Sequence, residues 1–194
     1  MVNTNDLIPL GVFTQKEALE TLSISQPSFY RLVKKSGVIK TVERGYYIHS
    51  HAEIKDEHLD FIVACKKFGE QSVIGGITAL EFYNLTELVA PQIWVLIPPN
   101  KRVSNHSKYK TIKTTTPLDV GIVNADGFRI VSLERALIEG LKYHTKIGES
   151  TGIKAILEAL KNNQTTEGAI FKMAKKLDLL SYINKKWEMI TAYE

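Results

Sequence analysis

Between Ser25 and Ile48 the chain reads SQPSFYRLVKKSGVIKTVERGYYI, and no other stretch narrows its fold so far. Ser25 is a good N-cap, and Pro27 falls in the first helical turn, where no intrahelical N–H bond is lost. Phe29, Leu32 and Val33 recur at i, i+3 and i+4 and give one apolar face. Gly37 supplies a left-handed stop. Val38 to Val42 and Tyr46 to Ile48 then read as two strands around Glu43-Arg44-Gly45, where Gly45 is free to take the positive φ of a hairpin turn. Just upstream, Thr14-Gln-Lys-Glu17 fits a capping box: the Thr14 hydroxyl accepts from the N–H of Glu17, and the Glu17 carboxylate accepts from the N–H of Thr14. Ala18, Leu19 and Leu22 give that helix its apolar face, and Ser23-Ile24-Ser25 is a tight connection. Two short helices, a tight turn and a hairpin predict a winged helix-turn-helix over residues 1–50.

The outer face of the second helix carries Gln26, Ser28, Tyr30, Arg31, Lys34 and Lys35. This set suits a duplex: arginine pairs with guanine, glutamine with adenine, and lysine and serine with phosphate oxygens. The major groove is about 12 Å wide and admits one helix, its N-terminal residues nearest the bases. Gln26, Ser28, Tyr30 and Arg31 are therefore expected to read bases, and Lys34, Lys35 and Lys40 to hold phosphates. Arg44 at the hairpin tip is expected to enter a minor groove or meet phosphate. The competing reading is a winged helix that docks a protein partner, since any helix pair has a polar outer face. Residues 1–50 carry six basic and four acidic side chains within a chain of net charge +4, a surplus that permits a nucleic-acid partner without demanding one.

Residues 51–194 form a second region, mixed α+β and ending in helices. HLDFIVACKKFG, residues 58–69, reads as a linking helix ending before Gly69, Ser72 to Ile74 as a short strand, and Ile77, Leu80, Phe82 and Tyr83 as a helix. Ile93-Trp-Val-Leu-Ile97, bounded by Pro91 and Pro98-Pro99, has the mark of a buried strand. Further short strands are expected within 109–114 and 119–131, the latter broken at Asn124-Ala-Asp-Gly127, with Ser132 capping a helix over 133–144. The last fifty residues carry three apolar stripes: Ile153, Ile156, Leu157 and Leu160; Ile170, Met173, Ala174 and Leu177; Leu180, Ile183, Trp187 and Ile190. Their outward lysines read as a solvated face.

With these elements in order, the chain resembles the AbiEi family of type IV antitoxins, which are also transcriptional repressors. The resemblance rests on SFYRLVKKSGVIKTVERGYYI, on VIGGITALEFYNL (residues 73–85) and on IVSLERALIEGL (residues 130–141). Ala136 stands where the family often has threonine, Glu139 where aspartate is common, and Asn84 where glycine is common. The resemblance implies a cytoplasmic repressor that binds double-stranded promoter repeats. It also implies opposition to a nucleotidyltransferase-like toxin, usually without a tight complex.

No catalysis, metal or cofactor is expected. A single cysteine, Cys65, rules out an internal disulfide framework and a cysteine-based zinc site. Glu53-Ile-Lys55 matches half of a metal-nuclease motif but lies between the hairpin and a helix, and such matches are common. His49, His51 and His58 read as surface histidines. Glu134-Arg135 reads as a buried ion pair and cap, the arginine bonding several carbonyls at once. Between Pro98 and Thr115 lie five basic residues and no acid, read either as a solvated loop or as a contact for a polyanion. The opening MVNTNDLIPLGVF lacks a basic stretch followed by a long apolar core, so no signal peptide is expected.

Overall fold

The computed structural model describes residues 3–35 and 37–191, which divide into two compact units at Lys67/Phe68. The expected boundary at residue 50 falls before the helix that closes the first unit. The fold is α+β: helices with a small antiparallel sheet, then a mixed sheet, then helices.

The first unit opens with a 3₁₀ helix, Thr4–Leu10, capped by the Asn3 side chain. Strand β1 (Val12–Thr14) leads directly into α1 (Gln15–Leu22) through the expected capping box. Ser23, at φ 50°, turns the chain, and α2 (Gln26–Lys35) begins with the Ser25 carbonyl accepting from the N–H of Phe29. Gly37, at φ 63°, follows α2. Strands β2 (Ile39–Glu43) and β3 (Tyr46–His49) form the hairpin, and β1 joins the open side of β3 to give the order β1-β3-β2. Gly45 takes φ 88° at the tip, the register shifts between Thr41 and Glu43, and β2 runs from Ile39 to Glu43, one residue later than the sequence suggests.

Leu7, Phe13, Ala18, Phe29, Ile39 and Tyr47 form the core of this unit, with Leu19, Leu22, Leu32 and Val33 packed against it. Phe29 meets the Tyr47 ring edge-on at 5.0 Å, which ties α2 to the hairpin. Helix α3 (Asp56–Phe68) adds two ion pairs, from Lys66 to Glu17 of α1 and from Lys67 to Glu43 of β2.

In the second unit β4 (Val73–Ile74), β5 (Ile93–Ile97), β6 (Tyr109–Lys113), β7 (Ile122–Ala125) and β8 (Phe128–Val131) form a sheet of order β6-β5-β4-β8-β7. The pairs β5/β6 and β4/β8 are parallel, and β4/β5 and β7/β8 antiparallel. Helix α4 (Ile77–Phe82) follows β4, and α5 (Leu133–Lys142) follows β8, capped by Ser132 as expected. The predicted helix over 133–144 instead ends at Lys142, and a separate turn, α6 (His144–Ile147), takes over. Helices α7 (Glu149–Lys161), α8 (Glu167–Lys176) and α9 (Leu180–Thr191) complete the unit; Ile153, Ile156, Ile170, Ala174, Leu177, Ile183 and Ile190 of the stripes are buried, while Leu157, Leu160, Met173, Leu180 and Trp187 are half-buried. Gly152 of α7 lies against Gly140 of α5 so closely that a Cβ would stand 2.8 Å from backbone carbon. Asn84, at φ 57°, fills a left-handed position that asparagine tolerates better than most residues, in place of the glycine the family resemblance suggests. Among the described residues no helix is long and apolar enough to cross a membrane.

Candidate nucleic-acid interface

Helix α2 divides as its periodicity requires. Phe29 is fully buried, Leu32 and Val33 are half-buried, and Gln26, Tyr30, Arg31 and Lys34 are exposed. Ser28 is half-buried, its hydroxyl 3.1 Å from that of Ser25. Arg31 folds back toward the start of its own helix: Nε donates to the Pro27 carbonyl and Nη2 to the Ser28 hydroxyl, each at 3.4 Å. The guanidinium is thus held over the first turn of α2, the end that lies nearest base edges when such a helix enters a groove. Lys35 belongs to α2 by its backbone, and its side chain lies outside the described residues.

Tyr30 reaches sideways from α2. Its hydroxyl donates to Gln15 Oε1 of α1 at 3.4 Å. Sequence reasoning did not single out Gln15; its place in the first turn of the first helix of a helix-turn-helix was the available signal. On the hairpin, Lys40 and Arg44 are exposed, Arg44 beside Gly45 at the tip. Gln26, Arg31 and Lys34 therefore share the exposed face of α2, while Lys40 and Arg44 sit on the hairpin of the same unit.

The two ion pairs from α3 fix the scaffold beneath. Burial pushes the Glu17 carboxyl up, but its bonds to Lys66 and to the Thr14 N–H and hydroxyl together hold it below its usual value. This keeps Glu17 ionised and engaged.

Three expectations need correction. His49 and His58 are not surface residues: they are 1% and 6% exposed, and only His51 is exposed. His49 ends β3, where Nδ1 accepts the N–H of His51; burial, with His51 beside it, holds the imidazole below its usual pKa. Among the described residues no group of three or more His, Cys, Asp or Glu side chains is placed to hold a metal ion. Glu53 and Lys55 are exposed on the connection between β3 and α3.

Second, much of the basic stretch 98–115 is packed. Tyr109 starts β6 at 3% exposure between the rings of Phe68 and His106. Lys101 donates to the Phe68 carbonyl, Gln92 ties down the His106 and Ser107 carbonyls, and Lys110 lies over Trp94 at 4.4 Å. Arg102 and Lys113 remain exposed.

Third, the buried ion pair at the start of α5 is Arg135 with Glu139, not with Glu134. Arg135 is 0% exposed, its Nε 2.9 Å from Glu139 Oε1, and Nη1 donates to the Pro117 and Val120 carbonyls. Glu139 Oε2 accepts the Gly76 N–H at 3.1 Å. Burial raises the Glu139 carboxyl against the pull of Arg135. Arg129 holds the Leu118 carbonyl, so two arginines pin the 117–120 loop, as the multiple-carbonyl reading of Arg135 anticipates.

The first unit has the element order of a winged helix, 3₁₀ helix, strand, two helices and a two-stranded wing, and the chain as a whole adds a mixed α+β unit to it. This combination has a known structural counterpart in the RV2827C protein from Mycobacterium tuberculosis. Its crystal structure superposes with a TM-score of 0.54 at 11% sequence identity, covering 90% of this chain and 72% of that one. No protein-family profile and no curated protein matches the sequence.

Proposed function

We propose that the chain is a winged-helix DNA-binding repressor that acts on its own promoter, and that it is the antitoxin of a type IV system of the AbiEi kind, opposing a nucleotidyltransferase-like toxin in the cytoplasm without catalysis of its own. One observation carries the DNA reading: the uncovered face of α2 presents Gln26, Arg31 and Lys34, with Arg31 held over the helix start. Arg31 and Gln26 read base edges, supported by Ser28. Lys34, Lys35 and Lys40 hold phosphates, and Arg44 acts from the wing. The antitoxin part rests on the three sequence stretches that resemble that family. A single winged helix offers few contacts, so tight binding uses two copies on half-sites about 34–36 Å apart or a multiple of that.

A gel shift on the chain's own upstream region tests the reading. Salt-sensitive binding is expected. Arg31→Ala should cost ~1–3 kcal/mol and relax specificity at one base pair, while Lys34→Ala weakens all sequences about equally. Absent duplex binding, together with co-purification of a neighbouring gene's product, would favour a protein-docking module instead.

A further inference from the structure

The geometry points to a second set of DNA contacts on α1: Gln15 and Lys16 bind a backbone phosphate, and the Tyr30 hydroxyl positions Gln15 for it. This rests on the DNA-binding reading of α2 and assigns residues beyond it. It also gives Tyr30 a different task from base reading.

The argument begins with the Tyr30–Gln15 bond, which spans fifteen residues and joins α2 to the first turn of α1. A glutamine amide has one acceptor oxygen and two N–H donors. Tyr30 engages the oxygen, and that bond leaves both N–H donors of the amide for a ligand, which suits a phosphate oxygen. Lys16 is the next residue. Its side chain is 84% exposed and pairs loosely with Glu20, itself 66% exposed, at 3.8 Å. An exposed pair that loose contributes little, so Lys16 can turn to a phosphate at small cost. The acid nearest in sequence does not repel the ligand unopposed: Glu17 bonds to the Thr14 N–H, and Lys66 stands 2.8 Å from it. The helix terminus itself is already capped by Thr14, so the ligand meets side chains and not orphan backbone N–H groups.

Placement agrees with the chemistry. When the second helix of a helix-turn-helix lies in the major groove, the first crosses the backbone. Glutamine and lysine are common phosphate partners, and such contacts fix register and orientation without reading sequence. Tyr30 is then a positioning residue. Its ring, 41% exposed, lies against Phe29, and its hydroxyl holds the amide that meets the phosphate.

The test uses the full chain, with fluorescence anisotropy on its upstream duplex and on an unrelated duplex of equal length, from 50 to 200 mM salt. Gln15→Leu is expected to weaken both duplexes by the same factor, roughly 3–10-fold, the worth of one hydrogen bond. Lys16→Ala is expected to lower the slope of log K against log salt by about 0.9, and Lys16→Arg to restore it. Tyr30→Phe should match Gln15→Leu, and the double variant should bind no worse than either. Parent-like binding and slope in both Gln15→Leu and Lys16→Ala would overturn the inference, as would a changed base-pair preference in Tyr30→Phe. Lys16 is a surface residue, so a Gln15 variant that fails to fold still leaves the slope measurement decisive. If Arg31→Ala weakens specific binding while the α1 variants do not, the α1 contact alone fails. If the parent chain binds neither duplex, both readings fail.

Discussion

Replacing Arg135 with methionine removes one guanidinium and leaves three groups stranded. Glu139, 2% exposed, loses the charge 2.9 Å from it, and the Pro117 and Val120 carbonyls lose their donor. Removing one partner of a buried ion pair costs about 3–5 kcal/mol, chiefly because the other charge stays buried and uncompensated. Domains have about 5–15 kcal/mol of stability in all, so the variant keeps a folded second unit with much of its margin gone. With a urea slope near ~2 kcal/mol/M, the midpoint of that unit should fall by about 1.5–2.5 M. Urea titration followed by circular dichroism gives the number. The companion Arg135→Met/Glu139→Gln separates charge from packing: it neutralises the stranded carboxylate while keeping an acceptor for the Gly76 N–H. It should recover at least about 1 kcal/mol relative to the single variant, the lower range for relieving a buried unpaired group. The sign of the pH effect follows. Glu139 is already raised by burial, and without Arg135 it rises further, so the single variant loses stability as pH climbs from the unfolded carboxyl pKa through the raised folded one. A loss below about 1 kcal/mol, or a double variant weaker than the single, would refute this account of the network.

Two further outcomes concern the first unit. Phe29→Ala empties the fully buried site where α2 meets Tyr47 and should cost about 3–5 kcal/mol, read by thermal melting, with duplex binding lost as α2 detaches. His49 is held below its ordinary pKa of 6.5, so the unfolded chain takes up its proton first; stability of the first unit is full above about that pH and declines as pH falls through 6.5 toward the folded value. Melting curves at steps from pH 7.5 to pH 5 should show that decline, and His49→Gln should flatten it. Lys40, Asp56 and Asp60 line a cavity of about 360 Å³ with His49, so the same series in high salt checks how far these charges contribute.

The elements written in local chemistry were legible from the residues alone. Thr14 and Glu17 cap each other within one turn, Gly37 and Gly45 take the positive φ that helix stop and hairpin need, and Ile93–Ile97 is apolar from end to end. What was missed depends on partners distant in sequence. Glu139 was not foreseen as the mate of Arg135 because only the packing of α5 makes that i, i+4 pair buried rather than exposed. His49 looked like a surface residue because its sequence neighbours do not reveal that it ends 1% exposed, paired opposite Ile39 of β2. A strand within 109–114 was legible, but the packing of the basic stretch before it was not, because Tyr109 is held by Phe68, forty-one residues earlier. On the candidate interface, exposure followed the helical period, but the direction in which Tyr30 reaches did not, since Gln15 sits on another helix.

Strand β6 is the open rim of the five-stranded sheet, and its backbone could template a stray strand from another molecule. Lys113 stands exposed at the end of that rim, with half-buried Lys108 and Lys110 near it, whereas the opposite rim, β7, is the short uncharged run Ile-Val-Asn-Ala. Two β6 rims brought side by side would set ammonium against ammonium, the means by which natural sheets discourage edge-to-edge pairing. Exchanging those lysines for threonine would preserve strand propensity and remove the guard, so unwanted fibre growth should start at β6.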